Sequence, residues 1–195
     1  MKTNLYLVAA ALTFLASCGQ ETKKSESTNA LPKQEEATVT QTDANSGATG
    51  LGVVKLDLPA DSARTVTYNF LNTSRPYYVT TIDGDKPRIR PTGVISLLKE
   101  KLWFHVGKQK GVYQQALKNP HVEVAATGQN REWIRISGEV ICEDDPEVTQ
   151  AVFEKNPHLK NMYNEKTGDQ LGSFYFKHAT VEISRSNGSV ESFSF

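Results

Sequence analysis

The chain has 195 residues, 22 Lys and Arg against 22 Asp and Glu, and a hydrophobic content of 38%. That length suits one folded domain with a real core. The balanced charge excludes a bulk attraction to nucleic acid or to acidic lipid.

The chain opens on a targeting pattern. Lys2 gives a small positive start, and Leu5 to Ala16 is an apolar run. It is too short to span a bilayer, which takes about 20 apolar residues, but it matches the core of a signal peptide. Leu15-Ala16-Ser17-Cys18 resembles the bacterial lipobox, in which the cysteine thiol takes the lipid. The expected organisation is a signal peptide over residues 1–17, a lipid-attached flexible linker over 18–60 and a folded domain over 61–195. The alternative is a secretory signal cut near Ala16. The lipobox reading implies a cell-envelope lipoprotein at the outer membrane, facing the periplasm or the surface and touching the membrane only through its anchor. With Cys18 acylated, Cys142 is the one remaining thiol and no intramolecular disulfide can form.

Residues 19–50 are rich in Ser, Thr, Glu, Lys, Gln and Asn and cannot offset the entropy of ordering. Val53, Val54, Leu56 and Leu58 begin the apolar pattern, which Pro59 interrupts. A helix capped by Asp61 or Ser62 is expected to about Leu71, with Val66 and Phe70 one turn apart. Strands follow at Tyr77–Ile82 and about Arg88–Leu97, joined by a turn at Asp83-Gly84-Asp85 that lacks the other ligands of a calcium loop. Alternation puts Arg88 and Arg90 on one face of a central strand and Ile89 on the other. A third strand, Leu102–Val106, leads through Gly107-Lys108-Gln109-Lys110-Gly111 into a helix over Val112–Leu117, which Asn119-Pro120 stops.

Strands are then expected at His121–Thr127 and Glu132–Cys142. In the second, Ile134, Ile136, Val140 and Cys142 form the apolar face, so Cys142 reads as a core thiol. A helix starts near Pro146, residues 157–169 are irregular, and Phe174–Ile183 and Val190–Phe195 are strands around an Asn187-Gly188 turn. Six or seven strands joined mostly by hairpins, with short helices in two connections, make an α+β, mainly β, antiparallel barrel.

Positive charge is concentrated: Arg75 to Lys118 holds nine Lys and Arg against three Asp and Glu. Two arginines on one strand face, a basic glycine-flanked loop and a helix start together suit an anion such as a phosphate. A solvated sheet face is the alternative. There is no Ser-His-Asp arrangement, phosphate-binding Walker loop or zinc-type spacing. His105, His121, His158 and His178 are scattered along the chain and read as surface or core residues, so no metal site is expected. Trp103, Phe104, Tyr113 and Trp133 read first as packing residues.

The runs YYVTTIDGDKPRIRPTG, LWFHVGKQKGVYQQALKNPHVEVAA and REWIRISGEV, in that order, resemble the pyridoxamine 5′-phosphate oxidase-like family over about residues 65–185. The resemblance implies an antiparallel split β-barrel with short connecting helices and a homodimer holding FMN between its protomers. By position it implies that Arg88, Arg90, Pro91, Thr92 and Gly93 line the flavin ring and ribityl chain. His105, Val106 and Gly107 would pass along the cofactor, and Lys108 and Lys110 would meet its phosphate. Gln114 or Gln115 would reach the ring or phosphate edge, and Trp133 or Arg135 would come from the later strand. His105 departs from the Thr or Ser of many relatives.

The implied activity is flavin-dependent oxidoreduction with a small-molecule redox substrate or electron donor, with no catalytic residue assigned. The signal lacks a twin-arginine pattern, so the chain would take up FMN after export. Split barrels of this family also handle haem, which makes His105 a candidate haem contact. A cofactor-free module for another anionic ligand is the third reading.

Overall fold

The computed structural model describes residues 52–195, together with the backbone of the short strand β1 (Val39–Gln41). The expected signal peptide and Cys18 lie outside the described residues. Among the described residues no helix is long and apolar enough to cross a membrane.

In chain order the elements are β1, β2 (Val53–Leu56), α1 (Ala60–Thr73), β3 (Tyr77–Asp83), β4 (Lys86–Thr92), β5 (Ile95–Leu98), β6 (Lys101–Gly107), α2 (Gly111–Lys118), β7 (His121–Thr127), β8 (Trp133–Cys142), α3 (Pro146–Lys155), β9 (Leu171–Ser184) and β10 (Val190–Ser194). Single 3-10 turns occupy Gln129–Arg131 and Pro157–Asn161. The strands form one sheet in the order β1-β2-β10-β9-β8-β7-β3-β4, while β5 and β6 branch off through a β6–β9 pairing. This is the α+β split-barrel arrangement, although the sheet branches rather than closing into a ring. The branch exists because β9 is long: its first part pairs with β6 and its last part with β10, while β8 runs along most of its length.

Three expectations change. First, Val53–Leu56 is a strand paired with β10, so ordered structure begins before residue 61. That pairing is parallel, which hairpin logic does not predict. Second, the expected strand Arg88–Leu97 is two strands. Pro91 supplies no N–H for a ladder, and the chain leaves β4 at Thr92-Gly93 to pair β5 with β6 instead. Third, β4 is the end strand of the sheet path, not a central one.

Helix α1 starts after Pro59 rather than at Asp61 or Ser62. It buries Ala63, Thr67 and Leu71, spaced four apart on one face, and leaves Val66 exposed. The buried Thr67 hydroxyl donates to the Ala63 carbonyl.

The main core lies between the inner sheet face and helices α1 and α2. Phe104 stacks on Phe174 at 5.4 Å and takes Tyr77 and Phe176 edge-on. A second core, around Trp103, Val148, Val152, Leu159 and Leu171, lies under α3. Strand β6 is therefore buried on both faces, Phe104 serving one core and Trp103 the other. Burying each such ring stabilises the fold by about 1.5–3 kcal/mol.

The β5–β6 turn puts two non-glycine residues, Lys99 (φ 51°) and Glu100 (φ 57°), in the left-handed region. The Lys99 ammonium is held there by the Asp145 and Glu147 carboxylates, each at 2.7 Å. Asp145 is also the N-cap of α3, accepting from the Glu147 and Val148 amides. One carboxylate therefore joins the hairpin to the helix that covers the second core.

Candidate functional site

Strand β4 presents two different faces. Arg88 and Arg90 lie on the same side as Val79 and Thr81 of β3, toward α2. Arg90 Nη1 donates to the buried Thr81 hydroxyl at 2.5 Å and to the Arg88 carbonyl at 2.9 Å. Its Nη2 donates to Gln115 Oε1 on α2 at 2.8 Å, and Thr81 donates to the same oxygen at 2.6 Å. Burial, then the Arg88 charge, lower the Arg90 pKa from its ordinary value. The planar guanidinium is thus fixed from β3 and α2. Arg88 turns to Asp83 on the neighbouring strand instead, with Nε 3.2 Å from Oδ2.

The basic loop is held from α2 and from the chain just ahead of β9. The Lys108 amide donates to the Gln170 carbonyl, and Gln114 Nε2 donates to the Lys108 carbonyl at 2.8 Å. The Lys108 stem crosses Gly172 beside Tyr113. A Cβ on Gly172 would lie 2.7 Å from the Tyr113 ring and 2.8 Å from Lys108 Cγ. Only glycine leaves room for both. The Lys108 ammonium pairs with Asp144 at 2.6 Å. Lys110 is the exposed N-cap residue of α2 and makes no side-chain cap.

Helix α2 therefore orients both basic elements, Gln115 toward Arg90 and Gln114 toward Lys108. The cations themselves do not share a partner: Arg88 meets Asp83, Arg90 meets Thr81 and Gln115, and Lys108 meets Asp144.

His105 is buried within the sheet. Its Nε2 lies 2.8 Å from Ser96 Oγ and its Nδ1 lies 2.9 Å from Ser173 Oγ. Burial pushes its pKa down to about 4, so the ring is neutral at pH 7. In this arrangement neither ring nitrogen is open to ligate a haem iron. Its neighbour Val106 is also buried.

At the end of β4, Thr92 faces Tyr77 in register, and the two buried hydroxyls approach only each other, without a well-formed hydrogen bond. Gly93 follows with open space where a Cβ would stand. Such loosely engaged groups beside open space, next to the fixed Arg90, fit a polar ligand with hydrogen-bonding groups of its own. Cys142 is half-buried, and burial raises its thiol pKa to about 11, as suits a packing residue.

Pro91, Trp133 and Arg135 occupy the opposite, outer face. Pro91, Tyr78, Ala125 and Arg135 form one row in register across β4, β3, β7 and β8. Ile89 (68% exposed), Tyr78 (43%) and Trp133 (39%) stand on this face. The Arg135 guanidinium lies 5.5 Å from the Trp133 ring centre and pairs with Glu182. The sheet thus divides the expected site residues between its two sides. Thr81 belongs to the site and was not anticipated; its signal was a polar residue at an inward position after Tyr77 and Val79.

No family model and no curated protein matches the sequence. Solved structures do. A NimC/NimA family protein from Clostridium acetobutylicum is 32% identical, with a TM-score of 0.65 over 70% of this chain and 94% of that one. A haem-binding protein from Mycobacterium smegmatis shares the fold at 12% identity and a TM-score of 0.50, over 68% of this chain and 56% of that one. A candidate pyridoxamine 5′-phosphate oxidase from Listeria innocua matches at 16% identity and a TM-score of 0.47, over 62% and 97%. The fold and the near-complete coverage of a relative at this identity agree: the chain has the split-barrel fold and belongs to the NimC/NimA family.

Proposed function

We propose that the protein binds a flavin, FMN, and acts as a flavin-dependent oxidoreductase on a lipid anchor at Cys18. The observation that carries this reading is the Arg90–Thr81–Gln115 arrangement, with the loosely engaged Thr92 hydroxyl and the open space at Gly93 beside it. A guanidinium already fixed in place loses little further freedom on meeting a ligand oxygen. Arg88, with its charge only partly engaged by Asp83, and the loop cations Lys108 and Lys110 supply the anionic complement.

The bound flavin would carry the electron transfer itself. The chain's part is to hold and tune it: the Arg90 cation favours a reduced, anionic ring, and Gln115 keeps Arg90 aimed. The redox partner is a small molecule. The outer-face residues Ile89, Pro91, Trp133 and Arg135 cannot reach the inner side of β4 within one protomer, but a second copy can bring them to it. We therefore assign the working unit as a homodimer with the cofactor at the protomer boundary.

The test is FMN titration of the mature chain by absorbance and fluorescence quenching. Binding at micromolar FMN is expected, and its absence refutes the reading. Haemin is the comparison ligand, because one solved relative of this fold is a haem-binding protein. The two serine contacts of His105 predict that any Soret band survives His105→Ala. A thermal shift with inorganic phosphate but not with FMN would instead support a cofactor-free anion-binding module.

A further inference from the structure

Lys108 has a counter-anion of its own. Its ammonium meets Asp144 Oδ2 at 2.6 Å. The lysine does not need that partner to hold its course. Gly172 and the Tyr113 ring confine its stem, and its backbone is tied at both the amide and the carbonyl. The Lys108 side chain is 28% exposed and that of Asp144 61%, so the carboxylate is the solvent-facing half of the pair.

Asp144 is also kept close. On one side, the Glu143 amide donates to the Ser173 carbonyl, and the Glu143 carboxylate accepts from Lys101 and Tyr175. On the other, Asp145 caps α3 and pairs with Lys99. With both neighbours pinned, only the Asp144 side chain is free to turn. Its charge is felt beneath Lys108: burial first, then Asp144, push the Tyr113 phenol up to about 12. The pair opens on a cavity of about 470 Å³ between the basic loop and α3, with Phe153 and Leu171 in its wall. An anion has room to approach there.

We propose that Asp144 sets how strongly the site prefers a phosphorylated flavin over riboflavin. The inference rests on the flavin reading above. A phosphate that reaches Lys108 takes the ammonium from a carboxylate that stays nearby, and like charges at short range repel. Asp144 is therefore a competitor for Lys108 and not its positioning residue. Removing the carboxylate frees the charge of Lys108 without freeing its stem. Riboflavin has the same ring and ribityl chain but no phosphate, so its binding does not register the exchange. Asn at this position keeps the shape of the side chain, and the cap of α3 belongs to Asp145.

The test is titration of the mature chain with FMN and with riboflavin by fluorescence quenching, in wild type, Asp144→Asn, Lys108→Met and the double variant. Asp144→Asn should tighten FMN binding about fivefold, the upper range for an exposed ion pair, and leave riboflavin unchanged. The gain should vanish in the Asp144→Asn/Lys108→Met chain, whose folding is checked by far-UV circular dichroism. Weaker or unchanged FMN binding in Asp144→Asn overturns the inference. So does an equal gain for riboflavin, or a gain that survives without Lys108. A wild-type chain that binds neither flavin defeats the flavin reading and this selectivity with it; the other three results defeat the role of Asp144 alone.

Discussion

Arg90 on strand β4 donates to Gln115 on helix α2 across 2.8 Å, and Thr81 on β3 donates to the same oxygen. Three elements thus meet at one amide carbonyl. Replacing Arg90 by Ala removes the cation and should weaken FMN binding at least tenfold, read by fluorescence quenching. Arg90→Lys should recover little, since an ammonium cannot reproduce the forked contacts. Gln115→Leu should also cost about 1–2 kcal/mol of stability in urea titrations, because Thr81 and Arg90 lose their shared acceptor.

Ile89 projects from the outer face of an end strand with 68% of its surface exposed. If that face meets a second copy, Ile89→Asp should shift the protein from dimer to monomer in light scattering with little change in the melting temperature of the monomer. An unchanged dimer would locate the interface elsewhere.

Acid should loosen the fold through His105. Its folded pKa of about 4 lies below the ordinary 6.5, so the folded state holds fewer protons than the unfolded chain. The contribution is fully present above pH 6.5 and is lost as the pH falls from 6.5 through 4, by about 3 kcal/mol in all. Other groups titrate too, so the measurement is the difference in urea midpoint between wild type and His105→Asn across that window. The variant should show the smaller decline; parallel curves would contradict the assignment.

Gly138→Ala should be severe. The added methyl meets the His178 carbonyl oxygen at 2.0 Å, and that atom belongs to backbone. A loss of more than about 2 kcal/mol is expected, or a fall of roughly 4–8 °C in melting temperature. Gly93→Ala is the control: its methyl meets nothing within 4 Å, so stability should hold while FMN binding reports whether the opening is used.

Metabolic labelling with a fatty-acid probe should mark the wild-type chain and not Cys18→Ala. Labelling that persists in the variant would remove the lipid anchor from the proposal.

Much of the fold was legible because period-two alternation is local. Tyr77, Val79 and Thr81 point inward, as do Ile134 and Ile136, and each strand follows from its own residues. Strand order was not legible. The end position of β4, the parallel β2–β10 pair and the β6–β9 branch all depend on pairings between distant segments. The same divide holds for the site. Arg90 and the α2 glutamines carried visible chemistry, whereas the turn of Arg88 toward Asp83 and the burial of His105 between two serines needed side-chain geometry.

The ladder joining β2 to β10 is only three residue pairs long, against ten between β8 and β9. Any tension arriving along the chain from ahead of Val39 meets the equally short β1–β2 ladder and then this one before it meets the rest of the sheet. It would act as a mechanical fuse: the leading strand can peel away under load while the β8–β9 seam, and with it the pocket-bearing body, keeps its shape.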